Sequence, residues 1–211
     1  MAFGAKEWKR YLGVDIGREP ALPANIDAIL NRTCPFLLDE ETACQKVKNN
    51  HVLVLIPATV DGEPFTLDKL GELIKEQSFS DNPYGYRYYS EELRQSCGSE
   101  SIAKAPYWVL ITKKVMRGSL GYDFLGHQKR VSRHSKDGYR VPYALEVATA
   151  ILTHYVRSGY RLYSDDPLRY TRCYNTSLQS LFIGGFDFSG LSVDHYYFDR
   201  GDYGVAGCRE L

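Results

Sequence analysis

No apolar run in this chain is long enough to span a bilayer. The longest, residues 52–57 (VLVLIP), falls far short of the roughly 18 residues a membrane helix requires, so membrane insertion is not expected. Charge of one sign is not in excess either: 26 basic and 26 acidic residues among 211 give a formal net charge of zero. Nucleic acid is therefore not the expected partner, because phosphate binding draws on a basic excess or stripe. The densest basic run, residues 129–136 (KRVSRHSK), is short and reads as a solvated loop or helix face. The start, MAFGAKEWKRYLG, lacks a basic segment followed by an apolar core, so no secretory signal is expected. The five cysteines (Cys34, Cys44, Cys97, Cys173, Cys208) are odd in number, widely spaced and without a C-x-x-C pair. That pattern suggests neither a zinc ribbon nor a dithiol redox site. Reduced thiols are expected, with Cys208 a buried hydrophobe.

The familiar catalytic arrangements are missing too. Residues 184–190 (GGFDFSG) have glycines at the wrong intervals for a phosphate loop and no following Lys-Ser/Thr. Neither H-E-x-x-H nor G-x-S-x-G occurs. His127 and His134 are seven apart without acidic ligands at matching spacing, and read as a solvated pair rather than a metal site. His154 reads as a partly buried, hydrogen-bonded core residue. Asp194, Asp199 and Asp202 read as turn caps, with calcium as the alternative. A Cys/His nucleophile pair assembled in space stays open, although nothing local supports one. No cofactor and no catalytic or metal-ligating residue is assigned.

What the chain does have is an aromatic, acidic tail. Residues 180–203 (SLFIGGFDFSGLSVDHYYFDRGDY) carry Phe182, Phe186, Phe188, Tyr196, Tyr197, Phe198 and Tyr203 among Asp187, Asp194, His195, Asp199, Arg200 and Asp202, without Lys, Glu, Gln, Met or Trp. Rigid rings with short polar residues are the mixture of binding surfaces. An aromatic sheet core with acidic turns, or an active-site loop, are the other readings.

Along the chain, residues 1–50 read as an irregular arm punctuated by Pro20, Pro23 and Pro35, with one short helical pattern after Asn25. Residues 51–57 and 107–112 (YWVLIT) read as buried strands, and Asp61-Gly62 as a tight turn between short strands. Two helices are expected. The first is capped by Thr66, with Leu67, Leu70, Leu73 and Ile74 on one face; the second runs from about 143 to 157 and ends at Gly159. Residues 77–101 read as a long excursion with a helical turn at SEELRQS, and 124–131 as a short helix. Residues 180–185, 190–198 and 204–209 read as three short strands. The fold class is α+β: two main helices, short antiparallel strands and much irregular chain, in one domain over 51–211.

Residues 138–159 (GYRVPYALEVATAILTHYVRSG) resemble the G-[YW]-R-L-P-T-x-x-E-[WF]-E-x-A segment of formylglycine-generating-enzyme-like domains, which have a C-type lectin-like fold. Tyr139, Arg140, Val141, Pro142, Glu146 and Ala148 carry the match; Tyr143 replaces the usual Thr, and the aromatic after the first Glu is missing. Gly207-Cys208-Arg209 is similar to the closing G-F-R, and residues 107–115 to an early strand of the same domains. Within that fold the tail resembles the variable proteins of diversity-generating retroelements, such as phage tropism determinants. There, mutagenesis at adenines turns AAY codons into every residue type except Lys, Glu, Gln, Met and Trp, and residues 180–203 lie inside that set. The cysteine pair of the enzymes, the three-His iron site of the sulfoxide synthases and the calcium signature of sugar-binding lectins are not reproduced.

The resemblance implies a non-enzymatic scaffold, cytoplasmic or virion-associated, that binds a protein or surface ligand. Strand alternation is expected to turn Leu191, Val193 and the Val205 region inward. Ser192, Asp194, Tyr196, Tyr197 and Phe198 are expected to face the partner, joined by Phe186, Asp187, Phe188, Arg200, Asp202 and Tyr203. The rival readings are a divergent enzyme acting through Cys173 or Cys208, and an assembly protein whose arm packs on a neighbouring subunit as a homo-oligomer.

Overall fold

The structure is a computed structural model that describes residues 2–36, 45–76, 86–163, 167–174, 181–187, 190–195 and 201–211. It is mixed α and β. The N-terminal segment forms α1 (Ala5–Leu12), α2 (Ile26–Asn31) and α3 (Val47–Asn50), and it is not an irregular arm. Phe3 bridges Val54 of β1 (His51–Ile56), with Phe3 N–H donating to Leu53 O at 2.8 Å and Leu55 N–H to Phe3 O at 3.0 Å. Trp8 is fully buried, donates Nε1–H to Leu55 O at 3.1 Å, and meets the Phe3 and Phe65 rings edge-on at 5.9 and 5.5 Å. The sequence hid this because α1 anchors itself through two buried residues only, Trp8 and Leu12, on an otherwise charged octapeptide.

After β1, Asp61 (φ 50°) and Gly62 (φ 84°) turn the hairpin β2 (Thr59–Val60) and β3 (Glu63–Pro64). Two consecutive positive φ values are what a primed two-residue turn demands. Thr66 Oγ1 accepts from Lys69 N–H at 3.1 Å and starts α4 (Leu67–Glu76), whose Leu67, Leu70, Leu73 and Ile74 are buried as the sequence predicts. The excursion after it contributes β4 (Tyr86–Tyr88) and α5 (Glu91–Cys97), capped by Ser90 Oγ. Then come β5 (Tyr107–Thr112), α6 (Phe124–Ser132), a 3-10 turn (Ser135–Asp137), β6 (Tyr139–Arg140) and α7 (Ala144–Ser158). The tail supplies β7 (Tyr170–Cys173), β8 (Leu181–Asp187), β9 (Gly190–His195), β10 (Tyr203–Gly204) and β11 (Cys208–Glu210).

Two larger sheets result, ordered β1-β5-β11-β6 and β10-β7-β8-β9-β4. The first is antiparallel throughout, but the second has parallel edges, β10 on β7 and β4 on β9. The expected third tail strand is split: β10 belongs to one sheet and β11 to the other, so the chain end ties the two together. Helix α7 packs against β1 and β5 of one sheet and β8 of the other, and residues 144–153 are all buried. A helix apolar on one face would leave part of that stretch wet; here both sides are covered. Gly159 (φ 74°) ends it in the left-handed conformation. No helix among the described residues is long and apolar enough to cross a membrane.

Candidate functional site

The second sheet sorts the tail into two faces. In register, Thr171, Ile183 and Val193 form one row, with Cys173, Leu181, Leu191 and Tyr86 on the same side. Ile183, Val193, Cys173, Leu181, Leu191 and Tyr86 all belong to the main core. The alternate rows are Tyr170, Gly184, Ser192 and Arg87, then Arg172, Phe182 and Asp194. Tyr170, Phe182 and Tyr203 form a separate aromatic cluster there, with Phe182 and Tyr203 stacked at 4.1 Å and Tyr170 edge-on to Tyr203 at 5.1 Å.

Polar groups are tied onto that aromatic bed. Arg87, exposed on β4, donates Nε–H and Nη2–H to Ser192 Oγ at 3.0 and 2.6 Å. Tyr203 O–H donates to Asp194 Oδ2 at 3.2 Å, while Asp194 Oδ1 accepts from His195 N–H at 2.9 Å. Arg172 is buried with its guanidinium 4.4 Å from the Phe182 ring centre, and it donates Nε–H to His127 Nδ1 at 2.8 Å. Since Nδ1 accepts, the proton lies on Nε2, which donates to Ser119 O at 2.7 Å. Burial raises the Tyr170 phenol above its ordinary range, so it stays protonated.

The tail residues expected at the surface therefore divide. Phe186, Ser192 and Tyr203 are buried, which corrects their expected outward placement. Phe186 turns inward because β8 bends at Gly184 and Gly185 (φ 158° and 54°), and it packs edge-on against Tyr155 at 4.9 Å. Ser192 is covered by the Arg87 side chain that binds it, and Tyr203 by Phe182 and Tyr170. Asp194 and Asp202 are half-exposed and take their places on this face or its rim. Asp187 closes β8. Phe188, Tyr196, Tyr197, Phe198, Asp199 and Arg200 lie outside the described residues. Leu191, Val193 and Val205 face cores as expected. Arg87, Arg172, His127 and Tyr170 carried no local signal, because long-range pairing alone brings them here; Arg87 and Ser192 are 105 residues apart.

The histidine readings change as well. His127 is fully buried and bonded as above, and His134 lies edge-on to Phe36 at 4.7 Å, so they are not a solvated pair. His154 is half-buried, but its Nδ1 has no hydrogen-bond partner among the described residues. No cluster of three metal-ligating side chains occurs among the described residues. Cys173 and Cys208 are fully buried; burial and the Glu146 carboxylate push both thiols well above their ordinary range, so neither supplies a thiolate.

No family model, curated protein or solved structure matches this chain. The face carries the Arg87 guanidinium, the Asp194 and Asp202 carboxylates and the Ser192 and Tyr203 hydroxyls beside the stacked Phe182 and Tyr203 rings.

Proposed function

We propose that the protein is a non-enzymatic ligand-binding protein with a C-type lectin-like scaffold, the variable protein of a diversity-generating retroelement, which displays residues 186–203 to a protein or surface ligand. The observation that carries this reading is the alternation along β9. Leu191 and Val193 enter the main core, while Ser192 and Asp194 take the opposite face beside Arg87. Support and display are thus separated residue by residue, which lets one side change while the other holds the fold. The buried members of the tail, Phe186, Ser192 and Tyr203, act as its bed, and Asp187, Asp194 and Asp202 with the residues between them act as its contact set. The thiol-enzyme reading is disfavoured by the protonated, buried Cys173 and Cys208. The assembly reading loses its basis in the arm, since Phe3, Trp8 and Leu12 are spent on the chain's own core.

The test is a library randomised at Asp187, Asp194, Tyr196, Tyr197, Arg200 and Asp202 with codons ending in a pyrimidine. Most members should melt within about 3 °C of the parent, as surface changes do. Panning against unrelated proteins should yield binders that lose affinity on reversion. Loss of folding in most members would sink the proposal. In the source genome, a reverse transcriptase and a near-copy of the tail's coding stretch differing at adenines should lie alongside.

A further inference from the structure

We infer that the cleft between α6 and the start of α7 is a binding site for an uncharged purine, as the free base or its nucleoside. The cleft is open to solvent and has a volume of about 350 Å³, at the small end of the usual range for small-molecule sites. One side is the second half of α6 and the 3-10 turn, through Gln128, Val131, Ser132 and Ser135. The other is the junction of β6 and α7, through Tyr139, Arg140, Val141 and Tyr143, with Tyr174 just past the end of β7. None of these residues belongs to the aromatic bed or to the contact set of the proposed recognition surface.

Both sides are fixed by bonds that involve no ligand. Tyr174 N–H donates to Pro142 O at 2.7 Å, and the Tyr143 and Tyr174 rings meet edge-on at 5.4 Å. Tyr143 N–H donates to Glu146 Oε2 at 2.8 Å. Val131 and Tyr139 are buried, and Tyr139 N–H donates to His134 O at 3.2 Å. The Tyr139 ring also stands edge-on to Phe36 at 4.7 Å. A platform already in place costs little to order on binding.

The lining selects the ligand by its chemistry. Tyr143 and Tyr174 give a flat ring something to stack on or meet edge-on, and Val131 and Val141 add apolar surface. Gln128, exposed on α6, carries a carboxamide whose acceptor and donor lie side by side. That pair matches the N6–H and N7 edge of adenine. The Tyr phenols and the Ser135 hydroxyl serve further polar atoms. Arg140 is the one charged residue in the lining among the described residues. Its guanidinium is already engaged, 2.6 Å from Glu146 Oε1, 3.7 Å from Glu210 Oε2 and 4.8 Å from the Tyr143 ring centre. A phosphate would have to compete with two carboxylates for it, which favours an uncharged ligand. Residues 175–180 (NTSLQS), which follow Tyr174, add no charge. A monosaccharide needs hydrogen bonds around its whole rim, and rings and valines do not supply them.

The experiment is calorimetric titration of the full chain with adenosine, AMP and glucose. Adenosine should bind with a Kd below about 1 mM, AMP no more tightly, and glucose more weakly than either. Gln128→Ala and Tyr174→Ala both alter exposed side chains, so the variants should melt with the parent. Tyr174→Ala should weaken adenosine about tenfold, the loss of one stacking contact, and Gln128→Ala about fivefold, the loss of its hydrogen bonds. Asp194→Ala on the aromatic face should leave the affinity unchanged, which keeps this site separate from the proposed recognition surface. No heat with adenosine at millimolar concentration would overturn the inference, as would binding indifferent to either cleft substitution or weakened by Asp194→Ala. AMP binding more than about tenfold tighter than adenosine would make the cleft an anion site, and tighter glucose a polyol site; either result would overturn it too.

Discussion

Removing the Glu146 carboxylate should loosen the seat of α7 on the first sheet. Glu146 is fully buried in the first turn of α7. Its Oε1 accepts from Tyr107 O–H at 2.9 Å and Arg140 Nη2–H at 2.6 Å, and its Oε2 from Arg140 Nη1–H and Tyr143 N–H at 2.8 Å each. Cys208 Sγ lies 3.6 Å from Oε2. One side chain thereby joins β5, β6, β11 and the start of the central helix. Truncating one partner of a buried ion pair costs about 3–5 kcal/mol. The Arg140 side chain is 32% exposed and has Glu210 at 3.7 Å as a second partner, so it can turn toward water. Glu146→Ala should therefore fall at the lower end, about 3 kcal/mol, a large fraction of the 5–15 kcal/mol typical of a domain. Glu146→Gln keeps the shape but points an NH2 at donors in either orientation, and should cost about 2 kcal/mol. Urea unfolding followed by circular dichroism reads both, with the slope unchanged. In a double-mutant cycle with Arg140→Met, the pair should lose less than the sum of the singles. A Glu146→Ala midpoint within error of the parent would refute the argument that this carboxylate holds the first sheet to the helix.

Acid should weaken the fold through His51. It is buried, with Nδ1 3.1 Å from Val47 O and Nε2 3.1 Å from Tyr139 Oη, and burial chiefly lowers its pKa to about 4. The unfolded chain binds a proton near pH 6.5 that the folded one refuses, so stability is complete above that pH. It should then fall by about 3 kcal/mol as pH drops toward 4. His51→Gln should flatten that part of the stability–pH curve; an unchanged slope would place its origin elsewhere. Tyr203→Ala should cost about 3–5 kcal/mol by emptying the space between Phe182 and Tyr170, whereas Asp194→Ala should stay within about 1 kcal/mol. Equal losses at the two positions would count against the division into bed and display. Gly207→Ala should destabilise by about 1–3 kcal/mol, because its Cβ would stand 2.5 Å from the Phe36 ring. A neutral thermal melt would show that Phe36 yields freely.

Local chemistry made some of this legible. The Thr66 cap with its apolar stripe, the Asp61-Gly62 turn and the Gly159 stop are each complete within a few residues, and each element stands where the sequence puts it. Strand type was also readable, since residues 51–56 and 107–112 are too short and too β-branched for helices. What sequence could not give was pairing. β4 is only Tyr86–Tyr88, and it becomes an edge because β9, a hundred residues later, offers it a parallel partner. The N-terminal segment looked irregular for the same reason: Trp8 has no meaning until Leu55 O and the Phe65 ring are beside it. The tail fell between the two cases. Its aromatic and acidic content was plain, but whether a ring faces in or out depends on register, and register is set across strands. The bend at Gly184 and Gly185 then turns Phe186 inward, against the count by twos.

Residues 138–159 have a clear structural duty. Arg140, Tyr143 and Glu146 fall within residues 138–159, and together they fix the direction in which α7 leaves β6. Helix α7 packs on both sheets, so this segment helps set the orientation of one sheet against the other. The proposed display of a changeable tail requires that constancy at a place the tail does not reach. Glu146 bonds Tyr107, Arg140 and Tyr143, whereas Asp194 bonds Tyr203 and Arg87 bonds Ser192. Exchanging residues on the outer face of β9 should therefore leave the Arg140–Glu146 pair untouched. The two perturbations ought to be additive, since groups that share no partner do not couple beyond a few tenths of a kcal/mol. Non-additivity between Glu146→Gln and Asp194→Ala would mean that the scaffold senses its own display surface.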